Sequence, residues 1–584
     1  MPSLFRVIIS EFAKTFQTMV STEKLQAFVA KTHLARDPFF ATKLVRFYAL
    51  NGDLHSARKL FDEIPQKSVF LWNSIIRAYS QARQMGDAVS LFYEMLGSDT
   101  MPDNFTYACL VRGFSESFDS KGLRRVHGGV IVSGLGFDHI CGSAVVTAYS
   151  KLCLVGEATK VFHSIPDPDV VLWNAMISGY GSCGFWDKGI SLFSLMLHLG
   201  KRPDFYTMAG LTAGLSNCGL LIIGQSVHGF CLKVNLDYEV HVGSALVSMY
   251  SRCKCIDSAY RMFLTVPEPD LVAWSSLITG FSRCMNHKEA LFWFSKLNMS
   301  CKKKPDCILV ACVLGSCAEL SNPMQGKEVH GHVLRQGLEL DIMVCTSLID
   351  FYSKCGSLDS AINVFAGMAE KNVVSFNAII LGLGLHGFAS IAFEKFKDML
   401  EMGIRPDEGT FSALLCTCCH SGLLDKGREF LRIMRNEFGL EPRPEHHVYM
   451  VKLLGMEGKL EEAFGFVSSL QEPIDSGIWG ALLACCESHG DAHLAEVVAE
   501  KLFESDPEKS AYKVMLSNVY ARHGRWDEVK MLRDGISESK EGKVPGISWQ
   551  KIHLIVAEQA FPPEFPHSQP MMAFYHGISG SQNV

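Results

Sequence analysis

VVLWNAMISGYGSCGFWDKGISLFSLMLHLGKRPD, the stretch from Val170 to Asp204, is the pattern on which most of this chain is built. A large aromatic residue recurs at steps of 101, 101 and 102 residues, at Trp72, Trp173, Trp274 and Phe376. Three further markers keep nearly the same step: Asp103, Asp204, Asp306 and Asp407; Tyr48, Tyr149, Tyr250 and Tyr352; and His127, His228 and His330. Four independent markers in one register indicate internal repetition, which has to be settled before any other pattern is interpreted.

Each cycle divides into three units, here called the leading, middle and short units. Similar blocks begin at Val170, Phe205 and Val240, and the next cycle begins at Leu271, which gives lengths of 35, 35 and 31 residues. Units of this size are too long for leucine-rich repeats and too short for HEAT repeats, and they suit a helix pair. On this pattern the units begin at Pro38, Val69, Asn104, His139, Val170, Phe205, Val240, Leu271, Cys307, Ile342, Val373, Glu408 and Pro444.

Apolar residues recur at helical spacing within a unit, as at Trp72, Ile75, Ile76 and Tyr79. A helix pair of this kind has one apolar face that it cannot bury alone, so successive pairs have to stack. We therefore expect an all-α fold, a right-handed α-solenoid superhelix of stacked helix-turn-helix repeats. Its concave groove would be lined by the first helix of each pair.

The pattern predicts four segments along the chain. Residues 22–475 form the repeat array, and residues 476–549 form two further helix pairs, of which the second resembles a tetratricopeptide repeat. Residues 550–584 are predicted to be a disordered tail, because they contain clustered prolines and no periodicity. Residues 1–21 are either a transit peptide or a frayed first helix, since they hold few acids but only one arginine.

Composition indicates a reducing compartment and no membrane insertion. The 584-residue chain has a formal net charge of −6 and 20 cysteines, which are scattered within apolar stripes. This favours small core residues over a disulfide framework. No run of 18 or more apolar residues is free of charge, so no membrane span is expected. The net charge argues against binding dominated by nucleic-acid phosphates, but base contacts and stacking can still hold a single strand.

The residues give no support for a catalytic or metal site. Zinc deaminases use H-x-E followed by P-C-x-x-C, and His287-Lys288-Glu289 satisfies only the first part. Cys416-Thr417-Cys418-Cys419 contains one C-x-x-C, but a structural zinc site needs a second ligand pair at suitable spacing. The rough candidates, Cys485 and Cys486, lie about 66 residues further on. We therefore expect a protein that is not an enzyme and that uses no metal or other cofactor.

The alternation of 35-, 35- and 31-residue units resembles plant pentatricopeptide repeat proteins of the PLS subclass, as do openings such as Trp-Asn-Ala-Met-Ile-Ser-Gly-Tyr and endings such as Arg-Pro-Asp. The resemblance covers roughly residues 22–549 and implies an organellar protein that binds single-stranded RNA. Most members of the subclass specify cytidines for C-to-U editing of organellar transcripts. Residues 476–549 resemble the family's extension (E) domain, which helps to recruit a deaminase.

The resemblance also implies where and with which partners the protein acts. The family's DYW deaminase domain is not recognised after Trp549, so a DYW-type deaminase and other editing factors are expected to act in trans. The expected location is the mitochondrion, with the chloroplast as the alternative. Two other functions stay open: an organellar splicing or transcript-stability factor, and a peptide-binding helical-repeat scaffold. A peptide groove would usually show Lys, Arg and Asn clamps rather than Asn, Ser or Thr paired with Asp in a fixed register.

In this family the fifth and the last residue of a unit together specify one base, and helical-repeat RNA binders read about one base per repeat. An Asp carboxylate is an acceptor and suits the ring N–H of uracil or guanine, whereas the NH₂ of Asn suits the ring nitrogen of adenine or cytosine. The resemblance assigns Ser or Thr at the fifth position to purines and Asn to pyrimidines. The resulting pairs are Thr42 with Ser68, Asn73 with Asp103, Ser143 with Asp169, Asn174 with Asp204, Ser244 with Asp270, Ser275 with Asp306, Thr346 with Asn372, and Asn377 with Asp407.

From 5′ to 3′ the pairs predict an uncertain base, U, gap, G, U, gap, G, G, gap, A and U. The gaps are the middle units, whose fifth residues are alanines and cannot hydrogen-bond a base: Ala108, Ala209 and Ala311. The second residues of the base-reading units would flank the bases as apolar plates, at Phe70, Val171, Val272 and Val374. The alternative for the polar pairs is structural, with Asn as a helix cap and Asp as a turn residue beside proline.

Overall fold

The computed structural model describes residues 38–215, 218–300, 304–338, 340–471, 473–506 and 509–537. In these ranges the chain forms thirty α-helices and one short 3₁₀-helix, and no strand. The predicted all-α fold is confirmed. Residues 1–21, the beginning of the repeat array at 22–37 and the predicted tail at 550–584 lie outside the described residues.

Thirteen helix pairs follow one another from Pro38 to Ser468. The first helices are α1 (Pro38–Leu50), α3 (Val69–Gln81), α5 (Asn104–Glu116), α7 (His139–Lys151), α9 (Val170–Ser182), α11 (Phe205–Ala213), α13 (Val240–Arg252), α15 (Leu271–Arg283), α17 (Cys307–Glu319), α19 (Ile342–Lys354), α21 (Val373–Leu385), α23 (Glu408–Ser421) and α25 (Pro444–Met456). The second helices are α2 (Leu54–Glu63), α4 (Met85–Leu96), α6 (Ser120–Val132), α8 (Val155–Ser164), α10 (Trp186–His198), α12 (Leu221–Lys233), α14 (Ile256–Thr265), α16 (His287–Ser300), α18 (Pro323–Gln336), α20 (Leu358–Gly367), α22 (Ala389–Glu401), α24 (Leu424–Asn436) and α26 (Leu460–Ser468). Each first helix begins at the residue where the repeat pattern places the start of a unit.

The chain divides into two compact units between Phe466 and Val467. The second unit contains α27 (Ser476–His489), α28 (Ala492–Ser505), α29 (Ser510–Arg522) and α30 (Trp526–Ser537). Its core includes buried Leu482, Val498 and Val519. Among the helices of the described ranges, none is long and apolar enough to cross a membrane.

The last residue of a unit is the N-cap of the first helix of the next unit. At most of these positions the side chain accepts a hydrogen bond from a backbone N–H in the first turn of that helix, which pairs one of the donors left unpaired at a helix start. Glu239 and Arg443 make no such bond. The residues that cap in this way are Ser68, Asp103, Asp138, Asp169, Asp204, Asp270, Asp306, Asp341, Asn372 and Asp407.

The recurring aromatic residue joins each short unit to the leading unit that follows it. Trp72, Trp173 and Trp274 are buried. Each meets a phenylalanine of the preceding second helix edge to face, and Phe376 does the same. The ring centroids are 4.7 Å apart for Phe61–Trp72, 5.0 Å for Phe162–Trp173, 4.8 Å for Phe263–Trp274 and 5.1 Å for Phe365–Phe376. Such pairs contribute roughly 0.5–1.5 kcal/mol to stability beyond the effect of the area they bury. The period of about 101 residues therefore reflects one aromatic contact that is repeated four times.

The recurring histidine and tyrosine form the joint between each middle unit and the next short unit. The histidine Nδ1 lies 3.1 Å from the tyrosine hydroxyl in the pair His127–Tyr149, and the other distances are 2.9 Å for His228–Tyr250 and 2.7 Å for His330–Tyr352. Burial lowers the pKa of all three histidines, which favours the neutral imidazole beside a neutral phenol.

Small residues allow neighbouring first helices to approach closely. Gly179, Gly280 and Gly382 share one register, and each packs against a buried serine of the preceding first helix. A Cβ added at Gly280 would lie 2.7 Å from Ser251 Oγ and 2.8 Å from its Cβ, closer than atoms of a side chain can pack. Glycine is therefore required by space here and not by backbone conformation.

Replacing Gly280 with Val is expected to destabilise the array by about 1–3 kcal/mol, because an overpacked core has to shift neighbouring atoms. The measurement is the midpoint of urea-induced unfolding of the purified chain, monitored by far-ultraviolet circular dichroism. Gly315→Ala is the matched control, since a Cβ there meets nothing within 4 Å and alanine is the better helix former. A G280V midpoint equal to that of the control would contradict close contact between α13 and α15.

Candidate nucleic-acid interface

The fifth residue of a unit lies within the first helix, and the last residue caps the first helix of the next unit. Asn73, for example, is the fifth residue of α3, whereas Asp103 caps α5. Because consecutive first helices pack on one another, residues far apart in the chain become neighbours. Asn73, Asn174 and Asn377 lie inside their helices and cap none, so the cap interpretation is wrong for these three. Capping is one role of the aspartates and of Asn372.

Three Asn–Asp pairs have the same geometry. Asn Nδ2 donates to Asp Oδ1 at 3.0 Å for Asn73–Asp103, 2.9 Å for Asn174–Asp204 and 3.0 Å for Asn377–Asp407. The same Oδ1 also accepts the backbone N–H of Thr106, Thr207 or Thr410, at 2.8, 2.9 and 2.9 Å respectively. Within the described ranges, Oδ2 of the three aspartates receives no hydrogen bond. One acceptor of each carboxylate is thus left available to a further donor.

A threonine at the third position of the following unit completes two of these pairs. The hydroxyl of Thr106 donates to Asn73 Oδ1 at 2.6 Å, and the hydroxyl of Thr207 donates to Asn174 Oδ1 at 2.6 Å. These threonines were not predicted from the sequence. Their signal is present in the repeat register, because Thr106, Thr207 and Thr410 occupy one position at steps of 101 and 203 residues.

Among the serine pairs, all of which lie within the described ranges, only Ser244–Asp270 is joined directly. Ser244 is 2% exposed, and its hydroxyl donates to Asp270 Oδ1 at 2.7 Å. The hydroxyl of Ser143 instead donates to the carbonyl of Ile140 at 3.1 Å. The hydroxyl of Ser275 is buried and has no partner among the described residues.

The remaining predicted residues are used within their own helices or as caps. The Thr346 hydroxyl donates to the carbonyl of Ile342 at 2.7 Å, and Asn372 accepts the backbone N–H of Ser375 at 3.0 Å. Ser68 caps α3 through the backbone N–H of Leu71 at 3.4 Å. Oδ2 of Asp169 lies 3.5 Å from His139 Nδ1. Asp306 caps its helix by accepting the backbone N–H of Leu309 at 2.8 Å. Thr42 is partly buried in α1.

Exposed apolar side chains mark the second position of the first helices. Phe70 is 74% exposed and Val374 is 53% exposed, and Val171 and Val272 lie between these values. Only these four were predicted from the sequence. More members of the row, each at least half exposed at the same position, are Phe105, Tyr206, Ile308 and Met343. Their common register was visible in the sequence, but exposure distinguishes them from core residues.

The carboxylate of Asp407 is held in its ionised form. Burial acts to raise the pKa of Asp407, but hydrogen bonds from Asn377 and Thr410 outweigh burial and leave the pKa below its ordinary value. The group therefore stays an acceptor without a proton of its own at neutral pH.

The cysteines of the C-x-x-C stretch are core residues. Cys416, Cys418 and Cys419 are buried in α23, and burial raises the pKa of the Cys418 thiol to about 12. A metal ligand is a thiolate, so this environment disfavours binding. Across the described ranges, no three His, Cys, Asp or Glu side chains come together as a metal site would require.

Comparison with known proteins identifies the repeats. Models described as the PPR repeat family match residues 67–116, 168–217 and 371–420, a pentatricopeptide repeat domain model matches 329–384, and an E motif model matches 489–551. A putative pentatricopeptide repeat-containing protein of Arabidopsis thaliana is 68% identical over 545 residues, which cover 93% of this chain and 99% of the relative. The chain belongs to the pentatricopeptide repeat family.

Other members of the family are similar over most of their length. The chloroplastic pentatricopeptide repeat-containing protein DOT4 of A. thaliana is 36% identical, over 93% of this chain and 74% of its own. A mitochondrial relative from the same plant is 32% identical, over 92% and 84% respectively. The crystal structure of the pentatricopeptide repeat protein PPR10 in complex with an 18-nucleotide psaJ RNA element matches with a TM-score of 0.55 and 17% identity, over 86% of this chain and 85% of that one. This likeness shows a common fold.

The double role of the capping aspartates yields a prediction for Asp204. The change Asp204→Ala removes the cap of α11 and is expected to cost about 0.5–2 kcal/mol of local stability. It would be measured as faster hydrogen–deuterium exchange of the α11 amides. Asp204→Asn is the control, because Asn caps a helix about as well as Asp. Equal exchange in the alanine and asparagine variants would contradict the capping role.

Proposed function

We propose that this protein binds single-stranded RNA in a plant organelle and recognises its sequence at about one base per reading repeat. The observation that carries the proposal is the Asn–Asp pair, which recurs with one geometry at Asn73, Asn174 and Asn377. Support also comes from membership of the family and from the fold shared with PPR10, which was crystallised in complex with RNA.

The chemistry of the pair suits uracil. Oδ1 of the aspartate is occupied by the cap and by the asparagine, so Oδ2 is the atom that would accept the ring N–H of uracil. The second N–H of the Asn amide would donate to a uracil carbonyl oxygen. Cytosine has no ring N–H on its pairing edge and would leave the carboxylate unpaired, which costs about 1–3 kcal/mol when the site is closed to water.

The other repeats extend this recognition in the proposal. Ser143–Asp169, Ser244–Asp270 and Ser275–Asp306 would accept guanine, and Thr346–Asn372 would accept adenine. The exposed residues Phe70, Val171, Val272 and Val374 would flank the bases, and an apolar or aromatic face against a base is tolerant of its sequence. The middle units, with alanine at the fifth position, would space the RNA.

We further propose that recognition serves C-to-U editing and that the deaminase is supplied in trans. The E motif match at residues 489–551 supports this role, as does the PLS-type alternation of unit lengths. Relatives are named both mitochondrial and chloroplastic, and the mitochondrion is the location proposed here. A DYW-type deaminase and other editing factors are the proposed partners.

Base preference provides the direct test of RNA recognition. An oligonucleotide that carries U, gap, G, U, gap, G, G, gap, A, U should bind more tightly than one with G and A exchanged for U and C. The Asp204→Asn variant should prefer C over U at the base read by Asn174, by roughly 5- to 150-fold relative to the wild type. Electrophoretic mobility shift measures both. Equal affinities for the two oligonucleotides would refute the base assignment.

The editing role is tested in the plant. A loss-of-function line should lack C-to-U conversion at one or a few organellar cytidines, in transcripts that contain a sequence fitting the predicted order, and transcript sequencing reveals this. Re-expression of the wild type should restore conversion, and the Asp204→Asn variant should not. A line in which every organellar cytidine keeps its editing would refute this role, although RNA binding could still hold.

A further inference from the structure

The hydroxyl of Thr207 lies at the centre of the Asn174–Asp204 pair. Its Oγ1 is 2.6 Å from Asn174 Oδ1 and 3.0 Å from Asp204 Oδ1, and it accepts the backbone N–H of Asp204 at 3.0 Å. Thr106 has the same contacts with Asn73 and Asp103, at 2.6, 2.9 and 3.1 Å. Both threonines are fully buried, with 0% exposure, so neither can touch RNA.

We propose that Thr106 and Thr207, each from the unit that follows, are positioning residues that fix the asparagine amide and so set the preference of the preceding repeat for U over C. The inference rests on the RNA recognition proposed above. It assigns part of the specificity of one repeat to a buried residue of the next.

The donors and acceptors around the amide determine its orientation. The carboxylate of Asp204 can only accept, so it attracts the NH₂ of Asn174, and the Thr207 hydroxyl donates to the amide oxygen. Both contacts favour the orientation in which the remaining N–H is available to the base. Uracil offers an acceptor, O4, where cytosine offers an NH₂ donor, as their major-groove edges show. An amide free to turn its oxygen outward would accept a hydrogen bond from the cytosine NH₂. Holding that oxygen inward therefore disfavours cytosine.

A simpler role for these threonines is the capping box, in which the third residue of a helix bonds back to the cap. The third pair separates the two roles. Thr410 forms the same capping box with Asp407, at 3.2 Å to its backbone N–H and 3.0 Å to Oδ1. Yet the amide oxygen of Asn377 is buried without a partner among the described residues. The capping box is therefore common to all three pairs, whereas the contact with the amide oxygen is present in two.

The test compares Thr207→Val, Thr207→Ser and Thr410→Val in the full chain. For each variant, fluorescence anisotropy gives Kd for RNA with U and for RNA with C at one position. The readout is the Kd for the C oligonucleotide divided by the Kd for the U oligonucleotide, so a lower ratio means a weaker preference for U. T207V should lower the ratio roughly fivefold at the position read by Asn174 and leave it unchanged at the position read by Asn73. T207S keeps the hydroxyl and should keep the ratio. T410V should lose stability like T207V, without a change of ratio at the position read by Asn377.

Several outcomes would overturn the inference. An unchanged ratio in T207V would do so, and so would an equal fall at all positions, since that result indicates only a lost cap. If T207V does not fold, Thr106→Val is read at the position of Asn73 with the same expectations, and T207S must still match the wild type. If the wild type shows no preference for U at any position, the proposed recognition itself fails and this inference with it. A wild type with preference and a T207V variant that retains it rejects the inference alone.

Discussion

In three of the four leading units, one carboxylate oxygen holds two parts of the structure together. Oδ1 of Asp204 accepts hydrogen bonds from the backbone N–H of Thr207, in the first turn of α11, and from the side-chain amide of Asn174 on the preceding first helix of its own unit. The start of one helix and the orientation of a side chain on the previous helix therefore depend on the same atom. This constraint explains why the pair keeps its geometry through the array although 30 residues separate its members.

Oδ1 can accept both hydrogen bonds only if neighbouring first helices keep a fixed spacing, and the packing of the core maintains that spacing. The aromatic joint, for example Phe263 with Trp274, fixes each short unit against the next leading unit. Nearby, Gly280 admits the side chain of Ser251 where any larger residue would collide with it. A bulky contact and a small one between the same two units together limit how closely their helices approach.

The helix starts could be predicted from the sequence because their signals are local: an apolar stripe follows an Asp, Asn or Ser cap, and proline often precedes that cap. The side-chain contacts were harder to predict. Ser143 and Ser244 are alike in sequence register, yet the Ser143 hydroxyl bonds to its own helix and the Ser244 hydroxyl to Asp270, 26 residues away. Contacts between residues so far apart in the chain carry no local sequence signal. Thr207 belongs by sequence to a middle unit, which its fifth-residue alanine marks as a spacer, yet its hydroxyl completes the pair of the leading unit. The hydrogen-bonded group around Asn174 therefore extends across the boundary between two units.

Under the proposed base recognition, the two oxygens of the last residue have separate roles, so specificity can change without loss of the fold. Asn372 caps α21 by accepting a backbone N–H, as the aspartates do at their helices. Asn and Asp are of similar strength in this role, so exchange of one for the other leaves the helix start intact. The other terminal atom of the side chain changes from an acceptor, Oδ2 of Asp, to a donor, Nδ2 of Asn. A position that is constrained as a cap therefore stays free to vary between acceptor and donor at its second atom, which is the property that the proposed recognition uses.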